Sequence, residues 1–213
     1  MGSCAEERED PELITSTYYP LLIGNYWDYS VDETIYFGEE DFETENYFFR
    51  DEIADFYLND VKELVYLVHR KKSADRNAWE NEQVYTLTLS NNRIIKNYNN
   101  QQKILLVYPL SQDFSWNGNA LNNEVEESYF VESTGSYILD QFAFPDAVKV
   151  RINEEDDLIT IRDNRYEVYA NNIGLVESYY EVFRYCSRND CLGEQIIQEG
   201  RFTHLRLINY GKL

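Results

Sequence analysis

Proline and glycine are scarce in this chain, at 4 and 9 of 213 residues, and nowhere do they gather into a linker. Residues 17–213 therefore read as one continuous domain behind an acidic tether at 1–16. Histidine and cysteine are scarcer still, at two and three. His69 and His204 stand at no ligand spacing from Cys186 and Cys191, so no metal and no cofactor is expected. Positive charge is short as well: 19 Lys and Arg against 39 Asp and Glu leave a net charge of −20. Such a surface repels phosphates and excludes nucleic acid as a partner. No stretch approaches the roughly 18 apolar residues of a membrane helix, so contact with a membrane would need an attached lipid. Glycine-rich phosphate loops and the G-x-S-x-G elbow are also missing, which argues against nucleotide chemistry and serine hydrolysis.

What the chain has in quantity is aromatic side chains, 19 Tyr, 11 Phe and 3 Trp, set in alternating patterns. From Trp27, the residues Trp27, Tyr29, Val31, Ile35 and Phe37 share one parity while Asp28, Ser30, Asp32 and Thr34 take the other. That is the pattern of a half-buried strand. Similar runs occur at 46–58, 61–70, 83–89, 104–110, 125–132, 147–152, 158–162, 174–185 and 201–210. Polar turns such as Asn59-Asp60 and Ser90-Asn91-Asn92 lie between them. The expected fold class is all-β and mainly antiparallel: a meander of roughly ten strands forming a curved sheet, barrel or sandwich. Helix is confined to one or two turns within 163–172, and one turn within the loop 111–123. Tyr19-Pro20-Leu21 stands ahead of Trp27 as Tyr108-Pro109-Leu110 stands ahead of Trp116. The echo fits either two related halves or chance, and both Trp residues are expected in the core.

Candidate chemistry is sparse. Glu52, Asp55, Glu126 and Glu177 lie within strand-like runs, where a carboxylate pair could serve a glycosidase, although a solvated face accounts for most such residues. The run Glu154–Asp157 lacks the spaced ligands of a calcium loop and reads as a charged turn. His69 reads as a strand-end residue facing solvent, and His204 as a structural or surface side chain. Cys186 and Cys191 enclose the turn-forming Ser187-Arg188-Asn189-Asp190, so an oxidising compartment would pair them across the loop. In 174–185 both parities carry large rings. Tyr179, Tyr180, Phe183 and Tyr185 are the candidate aromatics for sugar stacking or protein contact.

The segment Tyr19–Tyr29, reading YPLLIGNYWDY, resembles the opening of a family of uncharacterised Gram-negative lipoproteins. Trp116–Asn122, Tyr166–Val176 and Leu207–Lys212 are similar to further stretches of the same family. The small residue before Cys4 and the acidic Glu6-Glu7-Arg8-Glu9-Asp10 after it resemble a lipoprotein acylation site with a surface-export tag. The resemblance implies a lipid anchor on Cys4 and a cell-envelope address, at the outer-membrane surface or in the periplasm, and no reaction or catalytic residue. The expectation is a non-enzymatic β domain binding a glycan, lipid, peptide or protein. A carboxylate-pair hydrolase and an envelope assembly subunit are the alternatives.

Overall fold

The structure, a computed structural model, describes residues 18–213, so Cys4 and the tether at 1–16 lie outside the described residues. All regular structure among them is β. The first half of the chain holds β1 (Asn25–Gly38), β2 (Asp41–Leu58), β3 (Leu64–Ser73), β4 (Glu80–Ser90), β5 (Arg93–Tyr98) and β6 (Gln101–Val107). The second holds β7 (Ser115–Asn117), β8 (Ser128–Leu139), β9 (Phe142–Asp156), β10 (Ile161–Ala170), β11 (Gly174–Tyr185) and β12 (Ile197–Lys212).

Every pairing is antiparallel, in the single order β6-β5-β4-β3-β2-β1-β12-β11-β10-β9-β8-β7. The sheet edges are therefore β6 and β7, which are neighbours in sequence. They meet: the Ile104 amide donates to Gly118 O at 2.9 Å and Trp116 Nε1 to Ile104 O at 3.0 Å. Asn122 adds a bond to Gln102 O at 2.7 Å. A nearly closed, barrel-like sheet results, and its vulnerable edges protect each other.

Local sequence explains the register. In β1, Trp27, Tyr29 and Val31 are buried, while Asp28 pairs outward with Arg50 and Asp32 with Arg206. Tight hairpins join β4 to β5 through Asn91-Asn92 and β5 to β6 through Asn99-Asn100, all four at positive φ between 48° and 63°. Two left-handed residues in succession match the twist of the flanking strands, and asparagine tolerates that conformation better than other side chains. At Gly200 (φ +150°) an added Cβ would stand 2.3 Å from Val182 O, so no side chain fits between β12 and β11.

Four expectations change. Strands number twelve instead of about ten, because β5 and the short β7 went unread. The segment 163–172 is not helical: most of it is β10, held between β9 and β11. Its inward residues Arg165 and Glu167 are polar, which hides the alternation that marks a strand. The loop 111–123 holds β7 and turns instead of a helical turn. Trp116 is half-buried, whereas Trp27 is 2% exposed.

The echoed Tyr-Pro-Leu segments precede β1 and β7, the first strands of the two six-stranded halves, and both indoles donate to a backbone carbonyl. Trp27 Nε1 reaches Ile173 O at 2.5 Å and packs edge-on against Tyr19. Truncating a fully buried Trp removes its packing and leaves a cavity. Trp27→Ala should cost about 3–5 kcal/mol in urea unfolding, and Trp116→Ala clearly less.

Candidate functional site

Tyrosines fill much of the barrel interior, and each buried hydroxyl needs an acceptor. Tyr29 donates to Leu175 O at 3.1 Å, Tyr85 to Asp51 at 3.0 Å, Tyr47 to Glu33 at 3.2 Å, and Tyr169 to Glu167. Burial pushes the Tyr29, Tyr85 and Tyr169 hydroxyls well above their ordinary pKa, so they stay protonated donors. The acceptors bring negative charge inside, and Arg70 answers Asp51 with a two-pronged pair, Nε–Oδ1 at 2.6 Å and Nη2–Oδ2 at 2.5 Å. Burial works against the guanidinium charge, but Asp51 outweighs it and leaves Arg70 above its usual value. Its planar group also lies over the Phe49 ring at 4.7 Å.

At one end this filling gives way to a cavity of about 290 Å³, lined by Lys96, Tyr98, Tyr129, Glu167 and Tyr180 among others. A broader cleft of about 700 Å³ adjoins it along the β6–β7 seam and shares Gln101, Lys103, Ile152 and Arg165 with it. Together they have the concave, ring-lined form of a small-molecule site with a few polar groups. Arg165 is engaged by Glu127 at 2.5 Å and Asp163 at 2.6 Å, and Lys103 by Glu127 at 3.4 Å. Burial alone would raise Glu127, yet Arg165 and Lys103 prevail and hold it below the usual carboxylate range.

Lys96 differs. It stands on β5 directly opposite Lys103 of β6, with its ammonium over the Tyr85 ring at 4.2 Å. Burial pushes its pKa from 10.5 down to about 8, with Arg70 acting in the same direction.

Of the four aromatics singled out on β11, Tyr179 and Tyr180 both border this cavity, and Arg165 lies 5.9 Å from the Tyr180 ring centroid. The Tyr179 ring is itself taken up by other rings, stacked on Tyr166 at 5.1 Å and 5° and edge-on to His204 at 5.3 Å. Phe183 and Tyr185 are 7% and 4% exposed, Phe183 against Tyr36 at 5.2 Å, and present no free face. Strand parity separates Tyr179 from Tyr180, while burial of Phe183 and Tyr185 depends on neighbouring strands.

The candidate carboxylates scatter. Glu52 pairs with Lys71 at 2.8 Å and lies opposite His69, which is half-buried within β3 and not at its end. Asp55 is exposed at a bulge, and Glu126 lines the seam cleft. Glu177, expected most often on a solvated face, is 3% exposed. It accepts from Tyr166 at 3.1 Å and from Tyr137, and contacts His204 Nε2 at 2.7 Å. Tyr137 belongs to β8, so this carboxylate of β11 ties the β8–β9 hairpin across the intervening β10, and His204 is structural. Of the run read as a charged turn, Glu154, Glu155 and Asp156 instead end β9, paired with β10, and only Asp157 lies in the turn, where it accepts from the amides of Ile159, Thr160 and Ile161. Cys186 and Cys191 are disulfide-bonded with Cα atoms 5.8 Å apart, within the range such a bridge requires.

The residues missed from sequence are Lys96, Lys103, Glu127, Arg165 and Glu167. Their signal was present in β10, where Arg165, Glu167 and Tyr169 share a parity as a polar stripe.

No protein-family model matches the chain, and no curated protein does either. Two solved structures are similar, each at a TM-score of 0.49. One is a "putative exported protein with YmcC-like fold" from Bacteroides fragilis, 14% identical over 91% of this chain and 98% of its own. The other is a "putative lipoprotein" from Parabacteroides distasonis, 12% identical over 92% of this chain and 98% of its own.

Two substitutions probe the interior. Asp51→Ala strands the Arg70 charge and should destabilise by about 3–5 kcal/mol in chemical denaturation. Lys96→Met should act the other way, stabilising by about 1–2 kcal/mol at pH 7, once partial solvent access is allowed for. The sign follows from proton uptake. Between pH 8 and 10.5 the unfolded chain holds a proton that folded Lys96 has released, so raising pH favours the folded state. The advantage of Lys96→Met should therefore shrink across that window, read as the difference between the two proteins' unfolding free energies.

Proposed function

We propose that this chain is an exported, lipid-tethered binding domain that holds a small ligand in the mouth of its barrel. The carrying observation is the ring-lined cavity of about 290 Å³, in which Lys96, Tyr98, Tyr129 and Tyr180 converge beside the seam cleft. Rings offer flat apolar faces with a polar handle, and the cations orient a polar ligand. The tether is read from Cys4 and its acidic sequel, and the Cys186–Cys191 pair fits an oxidising compartment. A hydrolase would need an acid of raised pKa beside an ionised one. Glu127, in the seam cleft, is instead locked in its ionised form by Arg165 and Lys103.

One observation favours a second reading, an assembly subunit. Phe56, Tyr57, Leu58, Val61 and Leu64 are all exposed on the single β2–β3 hairpin, where a partner protein would cover them.

A glycan, lipid and peptide panel, scored by thermal shift and then calorimetry, tests the first reading. Tyr180→Ala should weaken any hit at least about ten-fold, or 1.4 kcal/mol, while Tyr179→Ala, whose ring is stacked on Tyr166, weakens it clearly less. Hits that respond equally to both variants, or no hits, reject the mouth as the site. Capture of an envelope protein abolished by Val61→Asp would instead support the assembly reading. Mass spectrometry of the native protein checks the tether, and an unmodified Cys4 removes it.

A further inference from the structure

Most cations of this acidic chain are already spoken for. Among the described residues, Lys62, Arg76, Arg93, Lys96 and Lys212 stand outside the ion pairs. Four of these five are exposed, where water solvates them, and Lys96 alone is not. It lies in the barrel mouth against Tyr85. The groups facing it are committed elsewhere. Arg70 of β3 is bound by Asp51 of β2, Lys103 of β6 by Glu127, and Glu167 of β10 receives the Tyr169 hydroxyl. A cation set into a cavity without a paired carboxylate costs free energy in the empty protein, and an anion brought by a ligand would recover it.

We infer that Lys96 is the recognition cation for a ligand carboxylate, on a small molecule whose ring lies against Tyr98 and Tyr180. The inference rests on the reading of the mouth as a binding site and names the chemistry that site selects. One free ammonium matches one negative charge. A doubly charged phosphate is disfavoured, because Glu127 and Glu167 border the same space and would repel the surplus charge. A neutral ring would gain the stacking but leave the ammonium unanswered.

Matched probes separate the two contributions: benzoate against benzyl alcohol, and glucuronate against glucose, titrated calorimetrically into the full chain. At pH 7 each acid should bind at least about ten-fold tighter than its neutral counterpart. Lys96→Met should bring acid and neutral to equal affinity, while Lys96→Arg keeps the preference. Unfolding curves of both variants confirm that they remain folded. Facing Asp51, Arg70, Tyr85, Lys103 and Glu167, Lys96 loses its proton as pH rises past about 8, so the preference should fade toward pH 9.5. Equal affinities in the unmodified protein, or a preference that survives Lys96→Met, overturn the inference. Binding of all four probes that Tyr180→Ala weakens would still leave the mouth as the site. If none of the four binds, the inference about Lys96 falls, and the reading of the mouth as a binding site is decided by the glycan, lipid and peptide panel.

Discussion

A buried tyrosine hydroxyl has to donate to something, and that requirement organises the interior of this barrel. Tyrosine supplies much of the bulk of the core, so acceptors must follow it inside. Where backbone carbonyls suffice, as for Tyr29, the cost is small. Where carboxylates do the work, as Asp51 does for Tyr85, charge enters a poorly hydrated space and calls for a counter-charge. Arg70 meets that need, aligned by the β2–β3 register and sandwiched over Phe49. The same logic extends to the mouth, where Glu127 is shared by Arg165 and Lys103. Lys96 is the member of the set that this arrangement leaves unmatched.

Closure of the sheet places these groups in one space. Because β1 and β12 pair in the middle, the edges left over are β6 and β7, and the loop between them brings them back together. Their junction is a seam of side chain and loop contacts instead of a full ladder, with Trp116, Asn122, Gln101 and Lys103 bridging it. Filling is dense around Trp27, where Tyr19 packs against both Trp27 and Tyr169. It opens toward the seam, where polar side chains face inward and apolar bulk runs out. The outer surface has its own tie in Glu177, which holds the β8–β9 hairpin through Tyr137.

Alternation and turn chemistry, visible residue by residue along the chain, were enough to identify an all-β antiparallel meander, the boundaries of β11 and the buried position of Trp27. They sufficed because those features depend on near neighbours: side chains in a strand alternate, and Asn-Asn pairs accept left-handed turns. The same local signals broke down where an inward position carries charge. Arg165 and Glu167 made β10 look like a short helix, although they are the polar lining of a strand. Barrel closure, the partnering of Asp51 with Arg70, the burial of Glu177 and the solitary state of Lys96 were decided only by the tertiary structure. Each depends on which strand lies beside which, and on charges brought together from distant points in the chain, a geometry that no local pattern encodes.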